Sequence, residues 1–218
     1  FIGHGAERTG PPIHLLRVLR WMAATGKPRP TVVLARGGQL VADYEAVADV
    51  VVASRGREPV EPLAAALRRV GRPRLARSAG DRWLRERLRR VPAHDLVYVN
   101  AASPVNLRLL EALNDGSAPV VLHIHELDIG LTHNLGEDER RRLFGRTHRV
   151  AAVCQAVVDN LVEHHAIDSS RITLSPGFVD DDLARPAPRP GGDLRASLGL
   201  GPGAFVVATA ALPDWRKA

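Results

Sequence analysis

The chain has 218 residues, of which 45% are hydrophobic and 4% aromatic, with one cysteine and a formal net charge of +6. That length supports a substantial core in one large domain or one and a half, the lone cysteine excludes a disulfide framework, and no apolar run reaches the roughly 18 residues that cross a membrane. Among the thirty basic residues only Lys27 and Lys217 are lysines, a skew that travels with abundant Ala, Gly and Pro and reads as coding bias; no nucleic-acid motif accompanies the charge.

The apolar residues fall into short runs separated by helical patterns. Residues 1–5 read as a strand end entering a loop. A helix is expected over 13–24, where Leu15, Leu16, Leu19 and Met22 recur at helical spacing after Pro11 and Pro12, which suit a helix start. A strand follows at 31–35 and another at 50–52. Helices at 62–70 and 81–90 precede a strand at 95–100. Next come a helix at 104–113, a strand at 119–124 and a helix at 138–144. A strand at 149–153, a helix at 155–165 and a strand at 171–174 complete the series. Alternation of this kind predicts an α/β fold: a Rossmann-like, doubly wound parallel sheet with helices on both faces.

The composition changes after residue 180. Pro186, Pro188, Pro190, Gly191, Gly192, Gly201, Pro202 and Gly203 mark a linker, with one short helix expected at 193–198. A fresh strand is expected at 204–210, either added to the first sheet or opening a second domain. The expected organisation is a first domain over 1–180, a linker over 181–203, and the first strand and loop of a truncated second domain over 204–218.

Three places suit chemistry. The loop from Gly3 to Pro12 brings Gly3, Gly5 and Gly10 between a strand end and a helix N-terminus, where backbone N–H groups and the helix dipole favour a phosphate. Its spacing matches neither the dinucleotide nor the P-loop signature, and a plain connector has the same composition. The second place is His123-Ile124-His125-Glu126, at the carboxyl end of a strand, where open α/β sheets bind ligands. Strand alternation sets His123 and His125 on one face. One of them can serve as a satisfied core histidine and the other as a substrate contact; no third ligand stands at zinc-motif spacing, so no metal is expected. The third is 171–180, a strand exit through Pro176-Gly177 at the edge of a crevice.

Two further features have plain structural readings. The basic helix at 81–90 sets Trp83, Leu84 and Leu88 on one side and fits either a solvated face or an anionic membrane surface. Cys154 is expected to pack in a helix start, and Ser175-Pro176-Gly177 lacks the nucleophile-elbow pattern.

Taken in order, these segments resemble a family. Gly5-Ala6-Glu7-Arg8-Thr9-Gly10-Pro11-Pro12 with Leu15-Leu16-Arg17-Val18-Leu19 is similar to the opening loop and first helix of family 4 glycosyltransferases, retaining enzymes of the GT-B fold. Val121 to Glu126 resembles the strand that delivers their crevice histidine. The run from Val150 to Val158, then Ile167, Arg171-Ile172 and Pro176 to Asp180, resembles their approach to the domain junction. Trp215-Arg216-Lys217 resembles the lysine-bearing loop that opens the donor domain. The chain departs from the pattern at Pro176, Phe178, Ala211 and Ala218.

The resemblance implies transfer of a sugar from a nucleotide diphosphate sugar to a glycan, lipid-linked or small-molecule acceptor, with no cofactor beyond that donor. It implies that Gly5, Thr9 and Gly10 meet the donor diphosphate, with Lys217 reaching it from the second domain. It implies that His125 contacts the reacting sugar, with His123 the fallback, and that Glu126 orients the acceptor or the histidine. The implied partners are the donor, the acceptor and a C-terminal domain, with no nucleic acid and with peripheral membrane contact compatible. The implied location is cytoplasmic, free or at the inner face of the membrane. Two other classes share these features: a nucleotide-sugar epimerase of the same fold, and a non-catalytic module that binds a nucleotide sugar or phosphate.

Overall fold

The computed structural model describes residues 1–54, 60–179, 194–201 and 203–207. The chain forms two compact units, Phe1–Val179 and Asp180–Ala218.

The first unit alternates strands and helices. It opens with β1 (Ile2–Gly3), α1 (Gly10–Ala24), β2 (Thr31–Arg36), α2 (Val41–Glu45), β3 (Asp49–Ser54), α3 (Glu61–Arg69) and α4 (Pro73–Leu88). It continues through β4 (Val97–Asn100), α5 (Pro104–Leu113), β5 (Val120–Ile124), α6 (Asp128–Asn134), α7 (Glu137–Arg146), β6 (Arg149–Ala152), α8 (Gln155–His165) and β7 (Ile172–Leu174). The strands form one parallel sheet in the order β3-β2-β1-β4-β5-β6-β7. Chain order reverses at β1, which pairs with β2 on one side and β4 on the other. In open sheets of this kind the ligand crevice lies outside the carboxyl ends of the strands at that reversal.

Alternation along β2 shows that both faces are covered. Val32 and Leu34 pack with Leu15, Leu16 and Leu19 of α1 on one face. Val33 and Ala35 join Leu84 and Leu88 of α4 and Leu107 and Leu110 of α5 on the other. Each fully buried leucine contributes about 1.5–3 kcal/mol relative to an exposed one, so the helical layers hold the sheet from both faces. Caps set the helix ends that matter: Ser103 Oγ accepts from Asn106 N at 3.2 Å to start α5, and Ala166 ends α8 in the left-handed region at φ 51°.

The structure adds helices that periodicity alone did not mark. α2 and α6 occupy stretches with too few apolar positions to show a period, and α4 begins at Pro73, a full two turns before the expected 81. Leu84 and Leu88 are buried and Trp83 is half-buried, as the spacing predicts for that helix. Cys154 sits at the start of α8, where it is exposed rather than packed.

In the second unit a short helix, α9 (Leu194–Ser197), ends in a turn at Gly199 with φ +67°. The Arg195 guanidinium donates to the Gly201 and Ala204 carbonyls. Residues 204–207 of the expected strand at 204–210 are not in a strand. Phe205 and Val207 are 92% and 84% exposed, so over this stretch nothing buries the apolar side chains that suggested a strand. Residues 208–218 lie outside the described part of the chain.

Candidate functional site

The loops that leave β1, β4 and β5 meet at the carboxyl edge of the sheet. β4 ends in Asn100, whose register partner across β4 and β5 is His123. The next residue, Ala101, has φ 84°, a left-handed backbone that disfavours a side chain. Its N–H bonds to the His123 carbonyl at 3.0 Å, and Asn106 Nδ2 donates to both the Asn100 and Ala101 carbonyls at 3.0 and 2.9 Å. These bonds hold the turn against its strain and fix where the Asn100 amide points.

That amide joins two elements. Its Nδ2 donates to the Pro11 carbonyl in the first turn of α1 at 2.9 Å, and its Oδ1 stands 3.2 Å from Nε2 of His125. Turning the amide over would set Oδ1 against the Pro11 oxygen, acceptor on acceptor, so the network assigns its orientation. An amide oxygen only accepts, so His125 donates through Nε2–H and keeps Nδ1 bare as an acceptor.

Two more rings, His123 and His14, pack directly beside His125, and Tyr98 and Phe178 pack on those two. His123 is fully buried; its ring centroid lies 4.2 Å from that of His125, with 32° between the planes. Tyr98 Oη lies 2.5 Å from His123 Nδ1. His14 of α1 meets both rings edge-on, with centroids 4.8 and 5.5 Å away, and Phe178 closes over His14 at 5.7 Å. Burial, then His125 and His14, holds the His123 pKa down to about 3, with the Ser175 backbone opposing; burial, then His14 and His4, holds His125 to about 4. Burial also lowers His14, with Arg17 adding to it. Both strand-end histidines are therefore neutral at neutral pH, His123 as part of the core and His125 at its rim.

The first loop is clamped from below. Ala6 O accepts from Leu40 N at 2.8 Å, and a Cβ on Gly38 would fall 2.3 Å from the Ala6 carbonyl carbon. The buried Tyr44 hydroxyl donates to the Pro12 carbonyl at 2.7 Å, tying α2 to the start of α1. The α1 terminus is sparing in donors: Pro11 and Pro12 carry no N–H, Ile13 N is bonded to Thr9 O at 3.1 Å, and Thr9 N to Glu7 O at 2.8 Å. Gly10 is exposed, no bond to its N–H occurs among the described residues, and its Cα faces open space. At this turn the Gly10 amide thus stays open to solvent. Glu7 leans its carboxylate over Gly5.

The structure brings Gly5, Thr9, Gly10, His123 and His125 to one edge of the sheet, with Glu126 half-buried just beyond and set against Gly130 of α6. Pro176 to Phe178 cross the same edge, and Arg17 Nη1 holds the Phe178 carbonyl at 2.9 Å. Lys217, Trp215, Ala211, Ala218 and Asp180 lie outside the described residues. Sequence reasoning missed Asn100, Tyr98 and His14. An asparagine ending a strand beside a histidine-bearing strand was the available signal for Asn100; His14 was hidden inside the apolar period of α1. An open hollow of about 440 Å3 lies to one side, at the ends of β2 and β3, lined by Arg36, Gly37, Val41, Glu45, Val50, Val52 and Ser54; none of His14, His123 and His125 borders it. Among the described residues, no three His, Cys, Asp or Glu side chains are placed to hold a metal ion, and no helix is long and apolar enough to cross a membrane.

Residues 9–183 match the family model of Glycosyltransferase Family 4. A crystal structure of a glycosyltransferase from Rickettsia africae ESF-5 is similar over 83% of this chain and 44% of that one, at 15% identity and a TM-score of 0.49. The chain therefore spans less than half the length of that protein. No curated protein matches the sequence.

Proposed function

The chain belongs to glycosyltransferase family 4, and on that footing we propose that its first unit is the acceptor-side half of a retaining transferase using a nucleotide diphosphate sugar. The observation that carries this reading is the Asn100 amide, which bonds the first turn of α1 and His125 at once. It sets the first turn of α1 and a neutral imidazole on the same edge, at the point where strand order reverses.

In the proposed reaction the bond from the anomeric carbon to the diphosphate breaks, and a bond to the acceptor oxygen forms on the same face. The acceptor proton leaves with the departing phosphate. The Gly10 N–H donates to the diphosphate as its negative charge grows, a contact worth most in the transition state. His125, with Nδ1 bare, accepts from a hydroxyl of the sugar and holds the ring in line. Glu126 orients the acceptor. The nucleotide falls to residues outside the first unit, with Lys217 the candidate from the resemblance. Closure of two domains over the crevice would exclude water from the transfer.

The test is calorimetry with UDP, GDP and ADP and their sugars on the protein extended through its donor-binding domain, followed by assay of nucleoside diphosphate release and of product configuration. Transfer with the donor's anomeric configuration kept is the expected result. Binding without turnover would favour a non-catalytic module. Conversion of the donor sugar to its epimer without acceptor would favour an epimerase, and either outcome would overturn the proposal.

A further inference from the structure

Glu126 leads into α6, and the attachments of that helix decide where the Glu126 side chain stands. A Cβ on Gly130 would fall 2.8 and 3.0 Å from Glu126 Cβ and Cγ. Those atoms are the stem of the side chain, not its flexible end, so the absence of a side chain at 130 is what seats Glu126 there. α6 has only seven residues, too few to hold a helix alone, and it depends on tertiary anchors. Leu131 is buried in the core, and Arg140 Nη1 donates to the Leu135 carbonyl at the far end, at 2.7 Å. The near end is served from another helix. His165, the last residue of α8, has a side chain 7% exposed, and its ring lies 5.6 Å from that of Phe144 in α7. Asp128 Oδ1 stands 3.2 Å from His165 Nε2, and that buried nitrogen has no other polar partner among the described residues. Burial holds the His165 pKa below its ordinary value; Asp128 opposes this, while Arg140 and His164 add to it. The ring is therefore neutral at pH 7 and above. A carboxylate only accepts, so His165 presents Nε2–H to Asp128.

We propose that His165 is a positioning residue for Glu126: through Asp128 it fixes the first turn of α6 to α8, and Gly130 of that turn seats the Glu126 stem. An ion pair with both partners exposed would contribute little. Here one partner is buried and has nowhere else to turn, so removing the Asp128 carboxylate strands a buried donor. The neutrality of the ring has a consequence for substitutions. The contact rests on a donor meeting an acceptor and not on a charge, so neutral amides at the same atoms can replace either side. Asparagine keeps an acceptor at 128, and glutamine keeps a donor at 165. On the transfer reading given above, on which this role in acceptor binding rests, Glu126 orients the acceptor, and the His165 contact sets how well the acceptor is held. The seating of Glu126 itself does not depend on that reading.

Nuclear Overhauser contacts between the Glu126 side chain and the Gly130 α-protons test the proposal in the 218-residue chain at pH 7.5. Asp128→Ala and His165→Phe should each lose them, whereas Asp128→Asn and His165→Gln should keep them. The control Glu137→Ala, which removes the exposed pair with Arg141 on α7, should also keep them. Circular dichroism checks that every variant is folded; Asp128 is 44% exposed, so Asp128→Ala decides the matter even where His165→Phe fails to fold. In protein carrying both domains, Asp128→Ala should raise the acceptor KM about tenfold with kcat and the donor KM nearly unchanged. Asp128→Asn should restore the acceptor KM. Contacts unchanged in Asp128→Ala, lost equally in the two amide variants, or lost in the α7 control would each overturn the proposal. A fall in kcat at constant acceptor KM would overturn the role in acceptor binding. The Overhauser contacts require no transfer, so failure of the seating and failure of the transferase reading are separate results.

Discussion

Asn100 accepts from His125, Oδ1 to Nε2 at 3.2 Å, while its Nδ2 is committed to the Pro11 carbonyl. One side chain thereby decides both the ring orientation of the histidine and its tautomer. Asn100→Leu removes the acceptor without adding a charge. In protein that carries both domains it should lower turnover by about 10–100-fold, the usual cost of losing a partner that orients a functional histidine. Nitrogen chemical shifts of the His125 ring check the cause directly: Nε2-protonated in the unaltered chain and a mixture of tautomers in the variant. An unmixed spectrum in Asn100→Leu would refute the assignment.

Acid should unfold the first unit early. An unfolded histidine takes its proton near pH 6.5, whereas His123 and His125 in the folded protein resist it down to about 3 and about 4. Between about 6.5 and 4 the unfolded chain binds more protons than the folded one, so stability falls as pH falls, by up to roughly 1.4 kcal/mol per pH unit for each histidine. Above pH 7 these two groups contribute no slope. Urea midpoints measured from pH 7.5 to 4.5 check this, and His125→Gln should flatten the curve by about one proton's worth.

The two glycines of the loop region should respond differently to alanine. At Gly38 the added carbon meets backbone of Ala6, which cannot move without displacing the loop; the cost should be about 2–3 kcal/mol. At Gly5 the clash is with the Glu7 carboxylate, the far end of a flexible side chain; the cost should be below about 1 kcal/mol. Chemical denaturation of Gly38→Ala and Gly5→Ala gives the comparison, and equal costs would contradict the packing described.

Tyr44→Phe leaves the buried Pro12 carbonyl without its 2.7 Å donor. The loss should be about 1–3 kcal/mol in stability. Loosening of the α1 start should appear as faster amide exchange at Ile13, whose N–H is bonded to Thr9 O, with no such change in α8.

Much of this was legible in the residues, for physical reasons. Buried parallel strands are short apolar runs, so β2 and β5, rich in Val and Leu, and the shorter β4 and β6 stood out, and the His-x-His placement followed from strand alternation. α2 and α6 are too short to display a period, and the first half of α4 buries Ala76 and Gly80, small residues that leave no apolar stripe. The site was half visible. Histidines and glycines announce chemistry by type, but Asn100 matters only because β4 lies between β1 and β5, a fact of sheet order that no local pattern carries. The expected strand at 204–210 shows the converse. Its apolar run was real, yet over 204–207 its side chains found no burial and no strand formed.

In the proposed transfer His125, held by Asn100 at the strand-order reversal, contacts the sugar. Its most direct test is the rate of nucleoside diphosphate release by protein carrying both domains, His125→Ala against unaltered, with donor affinity measured alongside. A fall of about a hundredfold or more in turnover with donor binding nearly kept is expected. Turnover equal to that of the unaltered protein would contradict it.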